Sequence, residues 1–258
     1  MTDLAAAPEV RLTAYIFEQV HGAPPETTRH VRGALPLLDG LDVPLPWGVV
    51  VAASRSADGA TSLYSMNHHT EGAVAPSRAG AWARECDEIL RARAAPGTRL
   101  VVNRELPAVT GLLTGTETRH ATALALRDLH GGPPADAPPN PRCDLAGSGL
   151  RLLVIDVGAR HPAAVPPADP GAAGRAAAAL RAGRLSALGP LLTDAHGPGN
   201  PVHDDTLEAA LDAGALGGRT IGACVVALAP LETVLDVRRR VTSCLAPVLP
   251  RPPRYLTI

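Results

Sequence analysis

The chain has 258 residues and a formal net charge of −1, and its 24 basic residues are all arginine. A near-neutral charge with no basic stripe interleaved with aromatics argues against a nucleic-acid partner, and the missing lysine excludes Schiff-base chemistry and any lysine that would neutralise a phosphate. Hydrophobic residues make up 46% of the chain but aromatics only 2%, so the core of one two-lobed unit or two small domains must pack from Ala, Leu and Val. No apolar run reaches membrane-spanning length and no charged-then-apolar leader opens the sequence, which makes a cytoplasmic protein without a membrane partner the expectation. The cysteines, Cys86, Cys143, Cys224 and Cys244, lack C-x-x-C spacing. Free thiols are therefore expected rather than disulfides or a metal site, with Cys86 and Cys244 in the core and Cys143 beside a short bridge.

In chain order, His68 and His69 are adjacent, and on a strand end neighbouring side chains point to opposite sides. Both are candidate acid/base groups, because imidazole titrates near neutral pH. A helix is predicted over residues 79–94. A Gly- and Thr-containing loop at 106–115 precedes another helix ending near Leu129, with Thr114 as its expected cap. Residues 132–143 are Pro-rich and predict an extended connector in which Asp136 is a solvated acid; residues 162–170 predict a second connector. Two nearly continuous apolar runs, 150–157 and 221–229, predict buried strands. Between them, residues 180–196 end at His196, the third candidate acid/base group. His203-Asp204-Asp205 follows at a helix start, where Asp204 or Asp205 is the expected N-cap. Arg238-Arg-Arg240 reads as the solvated face of the last helix, and residues 255–258 as a terminal strand.

The segment Leu106-Pro-Ala-Val-Thr-Gly-Leu-Leu-Thr-Gly115, with Ala121-Thr-Ala-Leu-Ala-Leu126 behind it, resembles a phosphate loop and its helix. The resemblance is to the galactokinase branch of the GHMP kinases, whose loop reads Leu-Pro-x-Gly-x-Gly-Leu-Ser-Ser-Ser. Matched without gaps, the two loop glycines fall on Val109 and Gly111, and the three serines on Leu113, Thr114 and Gly115. Glycines there let backbone amides approach phosphates, and hydroxyls complete the cradle and help hold magnesium. Only one glycine and one hydroxyl remain. Residues 9–20 are similar to the family's opening amphipathic helix, residues 43–53 with Asp58-Gly59 resemble its first hairpin, with His68 and His69 just after the second strand, and residues 180–196 are similar to a later landmark, all in family order. The family's Gly-Arg-Val-Asn-Leu-Ile-Gly-Glu-His-Thr-Asp-Tyr, whose acidic residues and His hold sugar hydroxyls, is replaced by Arg29-His-Val-Arg-Gly-Ala-Leu-Pro-Leu-Leu-Asp-Gly40. The segment carrying the family's catalytic Asp has no counterpart, since residues 132–143 bridge it. Residues 163–174 stand for a longer helical region with a substrate-facing Tyr, and the family's Gly-Gly-Phe-Gly-Gly is missing before residue 223.

The resemblance implies an α+β, two-lobed GHMP-kinase-like fold shortened by internal deletions, with a ribosomal-S5-like lobe over 1–146 and a ferredoxin-like lobe over 147–258. It further implies that ATP and magnesium binding, and with them phosphotransfer, are lost. What remains is expected to be an interlobe cleft touched by Leu35, Leu37, Asp39, Leu113, Thr114 and Thr116 and open to a small apolar metabolite. In that reading His68, His69 and His196 are the catalytic candidates of a cyclase- or isomerase-type enzyme, or the protein is a binder. The alternatives are a regulator that holds a partner protein through an exposed apolar face, as on the final helix, and a sugar kinase with an unconventional loop.

Overall fold

The computed structural model describes residues 7–38, 41–95, 97–107, 110–132, 145, 147–158, 170–197 and 200–258. Asp39, Val109, Asp136 and Cys143 lie outside the described residues, as do most of the two Pro-rich connectors. The chain opens with helix α1 (Pro8–His21), where Pro8 pre-sets the first helical turn. Strands β1 (Thr27–Leu38), β2 (Leu41–Arg55), β3 (Ser62–Ser65) and β4 (Thr98–Arg104) form a sheet in the order β1-β2-β4-β3. β2 runs antiparallel to β4 with Val51 opposite Val102, and β3 runs parallel to β4. The apolar run Val49–Ala53 is fully buried, and Phe17 of α1 packs on Ala52 and Val101. Two helices, α2 (Arg84–Ala92) and α3 (Thr116–His130), lie against each other, with Cys86 Sγ 3.4 Å from Thr122 Oγ1.

The second sheet has the order β6-β7-β5-β8, all neighbours antiparallel: β5 (Leu150–Asp156), β6 (Gly217–Ile221), β7 (Cys224–Pro230) and β8 (Arg254–Thr257). The two strands with the longest apolar runs, β5 and β7, occupy its centre, as strands covered on both faces must. Four helices accompany this sheet in sequence: α4 (Pro170–Arg181), α5 (Leu188–Asp194), α6 (Pro201–Asp212) and α7 (Val234–Leu245). Leu207 of α6 and Val237, Val241 and Leu245 of α7 share a core with Leu153, Ile155 and Val225. Helix α5 meets β6 backbone to backbone: a side chain at Gly189 would collide with the Leu216 carbonyl, and one at Gly217 with the Gly189 carbonyl. Two compact units result, interleaved in the sequence. Residues 34–45 and 110–112 group with the second sheet, whereas 46–107 and 113–132 group with the first.

Five local expectations are corrected. Asp58-Gly59 does not close a hairpin, because β4 lies between β2 and β3 in the sheet. The apolar run 221–229 is two strands, because Gly222 at φ 59° turns the chain between β6 and β7. His68 and His69 sit not on a strand end but in a 3₁₀ segment, Met66–Glu71, and both are exposed. The helix expected over 79–94 is confined to α2, preceded by a 3₁₀ turn at Ala81–Ala83. Cys86 is buried as expected but Cys244 is exposed, since the buried stripe of α7 runs Val234, Val237, Val241, Leu245 and Cys244 lies one position off it. Burial pushes the Cys86 thiol up to about 11 and the Cys224 thiol up to about 12, leaving both inert as nucleophiles.

Candidate functional site

The loop that joins β4 to α3 begins at a pinned residue. Arg104 donates its amide to Asn67 Oδ1 at 2.9 Å and accepts at its carbonyl from Asn67 Nδ2 at 2.9 Å, so one side-chain amide extends the strand ladder. The Arg104 guanidinium then donates from Nη2 to the Leu113 carbonyl at 3.1 Å. Leu113, in the place where the resemblance implies a hydroxyl, is buried at 5% exposure and offers no polar atom from its side chain. The residue preceding α3 is Gly115, at φ 96° and with no side-chain cap. Thr114 is one position too early to be the N-cap; its hydroxyl instead donates to Thr116 Oγ1 at 3.1 Å and accepts from the Thr116 amide at 3.4 Å.

The space beside Gly115 is taken by Glu85 of α2. A methyl group at Gly115 would lie 3.0 Å from Glu85 Oε1 and 3.2 Å from its Cγ, and Glu85 is only 16% exposed. One helical turn on, Glu88 is ion-paired to Arg119 of α3. These residues, with Arg84, Thr114 and Thr116, surround a pocket of about 290 Å³. Its character is polar and charge-paired. Positive potential at the start of a long helix favours an anion, and two carboxylates of the same chain stand there, Glu85 beside Gly115 and Glu117 in the first turn of α3. Glu85 places a negative charge beside Gly115, and Leu113 has no hydroxyl, both unfavourable to a phosphate or its magnesium.

The remaining loop glycine is also committed. Gly111 at φ 67° lies against Gly222, such that a methyl group on Gly111 would come 2.9 Å from Gly222 Cα. The Ala223 amide donates to the Thr110 carbonyl at 3.1 Å. The freedom of Gly111 thus admits the turn between β6 and β7, a use the sequence pattern does not reveal.

The candidate histidines separate. His68 stacks on Trp82, ring centroids 6.0 Å apart at 11°, while Trp82 Nε1 donates to Glu71 Oε2 at 2.8 Å and Glu71 Oε1 stands 3.9 Å from His68 Nδ1. His69 is exposed beside it. His196 belongs to the second unit, and both its ring nitrogens are engaged. Nδ1 accepts from the Thr220 amide at 3.2 Å, which makes Nε2 the donor to Asp204 Oδ1 at 2.9 Å. Gly218, two residues before Thr220, donates its amide to Thr193 Oγ1 at 3.3 Å. The outer edge of β6, an edge strand, is therefore capped twice by side chains from α5 and its C-terminal turn, which blocks further strand pairing. Asp204 is in the first turn of α6 but the N-cap is Asn200, whose side chain accepts from the Val202 amide at 2.9 Å. Leu35 and Leu37 are fully buried and present no surface to a ligand in this conformation.

A hydrogen-bonded His–Glu pair also escaped the sequence reading. His30 Nε2 lies 2.7 Å from Glu105 Oε2, which also accepts from the Gly48 amide at 2.5 Å. Seventy-five residues separate the pair, and no local motif links them. Among the described residues no group of three or more His, Cys, Asp or Glu side chains is placed to hold a metal ion, and no helix is long and apolar enough to cross a membrane.

Residues 176–246 match the family model described as GHMP kinases C terminal. None of the curated proteins matches the chain. Among solved structures, the chain is similar to a Lactococcus lactis galactokinase complexed with galactose, with a TM-score of 0.71 at 15% identity, covering 96% of this chain and 97% of that one. It is also similar to a homoserine kinase from Cytophaga hutchinsonii, with a TM-score of 0.57 at 16% identity over 84% and 87% of the two chains. A mevalonate kinase from Methanococcus jannaschii gives 0.57 at 9% identity over 90% and 97%.

Proposed function

Because the chain has the GHMP kinase fold, with residues 176–246 matching the C-terminal model of that family, we propose that it works without phosphotransfer, as a small-molecule binder or a non-kinase enzyme. The observation that carries this reading is the Glu85 carboxylate packed against Gly115, where a kinase of this fold would need room and positive potential for phosphate. Leu113 and the absence of lysine support it. The pocket around Gly115 is lined by two glutamates, two arginines and two threonine hydroxyls, so a ligand held there is polar rather than apolar. In the enzymatic form of the reading, of the cyclase or isomerase type, His68 is the better acid/base candidate. It is exposed and oriented by Trp82 and Glu71, whereas His196 has both nitrogens engaged.

A second reading, a regulator that holds a partner protein, is favoured by one observation. Leu231, in the 3₁₀ turn before α7, and Leu235, in the first turn of α7, are 52% and 60% exposed, and Val248 beyond its end is 57% exposed. The test of the main reading is consumption of magnesium-ATP in the presence of galactose, homoserine and mevalonate in turn. The expected result is background consumption with each. Turnover of any of them above a heat-inactivated control overturns the reading.

A further inference from the structure

We propose that Glu85 is a built-in anion: its carboxylate occupies the phosphate-facing end of α3, so the loop is closed to phosphates by a resident side chain and not only stripped of kinase groups. This rests on the reading that the protein has left phosphotransfer, and it names what enforces that departure. Helix α2 carries three acids, and each has a distinct place. Asp87 is ion-paired to Arg91 within α2. Glu88 is ion-paired to Arg119, in the first turn of α3. Glu85, three residues before Glu88 and therefore on the same face of α2, is the one that reaches Gly115.

The packing of α2 leaves Glu85 little choice of direction. Cys86, buried, contacts Thr122 of α3 through its sulfur, so the neighbouring Glu85 is held over the start of the same helix. Its ion-pair partner is Arg84, whose Nη2 is 3.7 Å from Glu85 Oε1 but whose side chain is 73% exposed, too solvated to neutralise the carboxylate firmly. Gly115, at φ 96°, has no side chain to keep the carboxylate away. The start of a fifteen-residue helix and a mostly buried carboxylate thus face each other, the arrangement in which a negative side chain stabilises a helix and repels a second anion.

The test uses inorganic pyrophosphate, free of metal, titrated by calorimetry into the full chain and three variants at low ionic strength. Glu85→Gln keeps the volume and removes the charge, Glu85→Ala removes both, and Asp87→Asn makes the same change in net charge on an acid that the pocket does not include. Thermal melts establish that each variant is folded; should Glu85→Ala fail to fold, Glu85→Gln decides. The wild type and Asp87→Asn are expected to bind no pyrophosphate, and both Glu85 variants to gain affinity by about tenfold or more, the gain shrinking as salt screens it. The proposal is overturned if folded Glu85→Gln binds no better than the wild type, or if Asp87→Asn gains as much. Phosphotransfer by the wild type would instead overturn the functional reading, so the two failures are told apart.

Discussion

The contact of α5 with β6 and the contact of α2 with the start of α3 both centre on glycine, and they differ in what meets it. At Gly189 and Gly217 backbone meets backbone, with no volume for a side chain on either partner. At Gly115 a side chain, Glu85, fills the volume. The first kind of contact lies inside the segment that matches the family model, where the fold depends on it. The second kind can change its chemistry while the helices on either side keep their places. Packing positions hold the architecture, whereas the polar side chains at a loop decide what it accepts.

The largest effect is expected where a side chain is forced into the backbone contact. Gly189→Val must displace the Leu216 carbonyl or part α5 from β6, and overpacking of this severity is expected to destabilise by about 3 kcal/mol or more. Chemical denaturation should show a large loss of stability or no folded protein, and a loss within about 0.5 kcal/mol would contradict the account.

A smaller effect is expected where side chains cap backbone. His196→Ala leaves the Thr220 amide on the β6 edge without its acceptor, at about 1 kcal/mol. The uncapped edge should also promote self-association, seen as a concentration-dependent sedimentation profile that the wild type lacks. If His196 served only as an acid/base group, stability would be unchanged.

These contacts also mark what the sequence could and could not show. The central strands β5 and β7 were legible because apolar run length is a local property, and α1 was legible through its likeness to a family helix. The hairpin at Gly222 was read as one strand because its flanks are both apolar, and a single glycine in such a run is ambiguous between a bulge and a turn. Cys244 was misplaced by one helical position, which on a helix is the difference between core and solvent. Thr114 was assigned the cap on residue type alone, whereas the positive φ of Gly115 puts the helix start one residue later. Glu85 over Gly115, Glu105 with His30 and Gly111 against Gly222 were not legible, because each joins elements far apart in the chain. The candidate residues in the end fall in two compact units, with His68, His69, Leu113, Thr114 and Thr116 in the first and Leu35, Leu37 and His196 in the second.

A further effect concerns pH. Burial, with help from the nearby Arg99 charge, lowers the His21 pKa from 6.5 to about 4. Between those values the unfolded chain takes up a proton that the folded chain refuses, so stability falls as pH drops from about 6.5 to about 4 and levels off below. His21→Leu, which also removes a buried Nε2 without a hydrogen-bond partner, should flatten that part of the melting-temperature profile. An unchanged slope would mean that His21 is protonated in the folded protein.

The most direct measurement is a calorimetric titration of magnesium-ATP, at millimolar concentration, into the wild-type protein. With Leu113 in a hydroxyl's place and Glu85 facing the start of α3, the account predicts no saturable heat of binding. A saturable isotherm with one nucleotide per chain would contradict it, because phosphates would then be held at a loop that a carboxylate already fills.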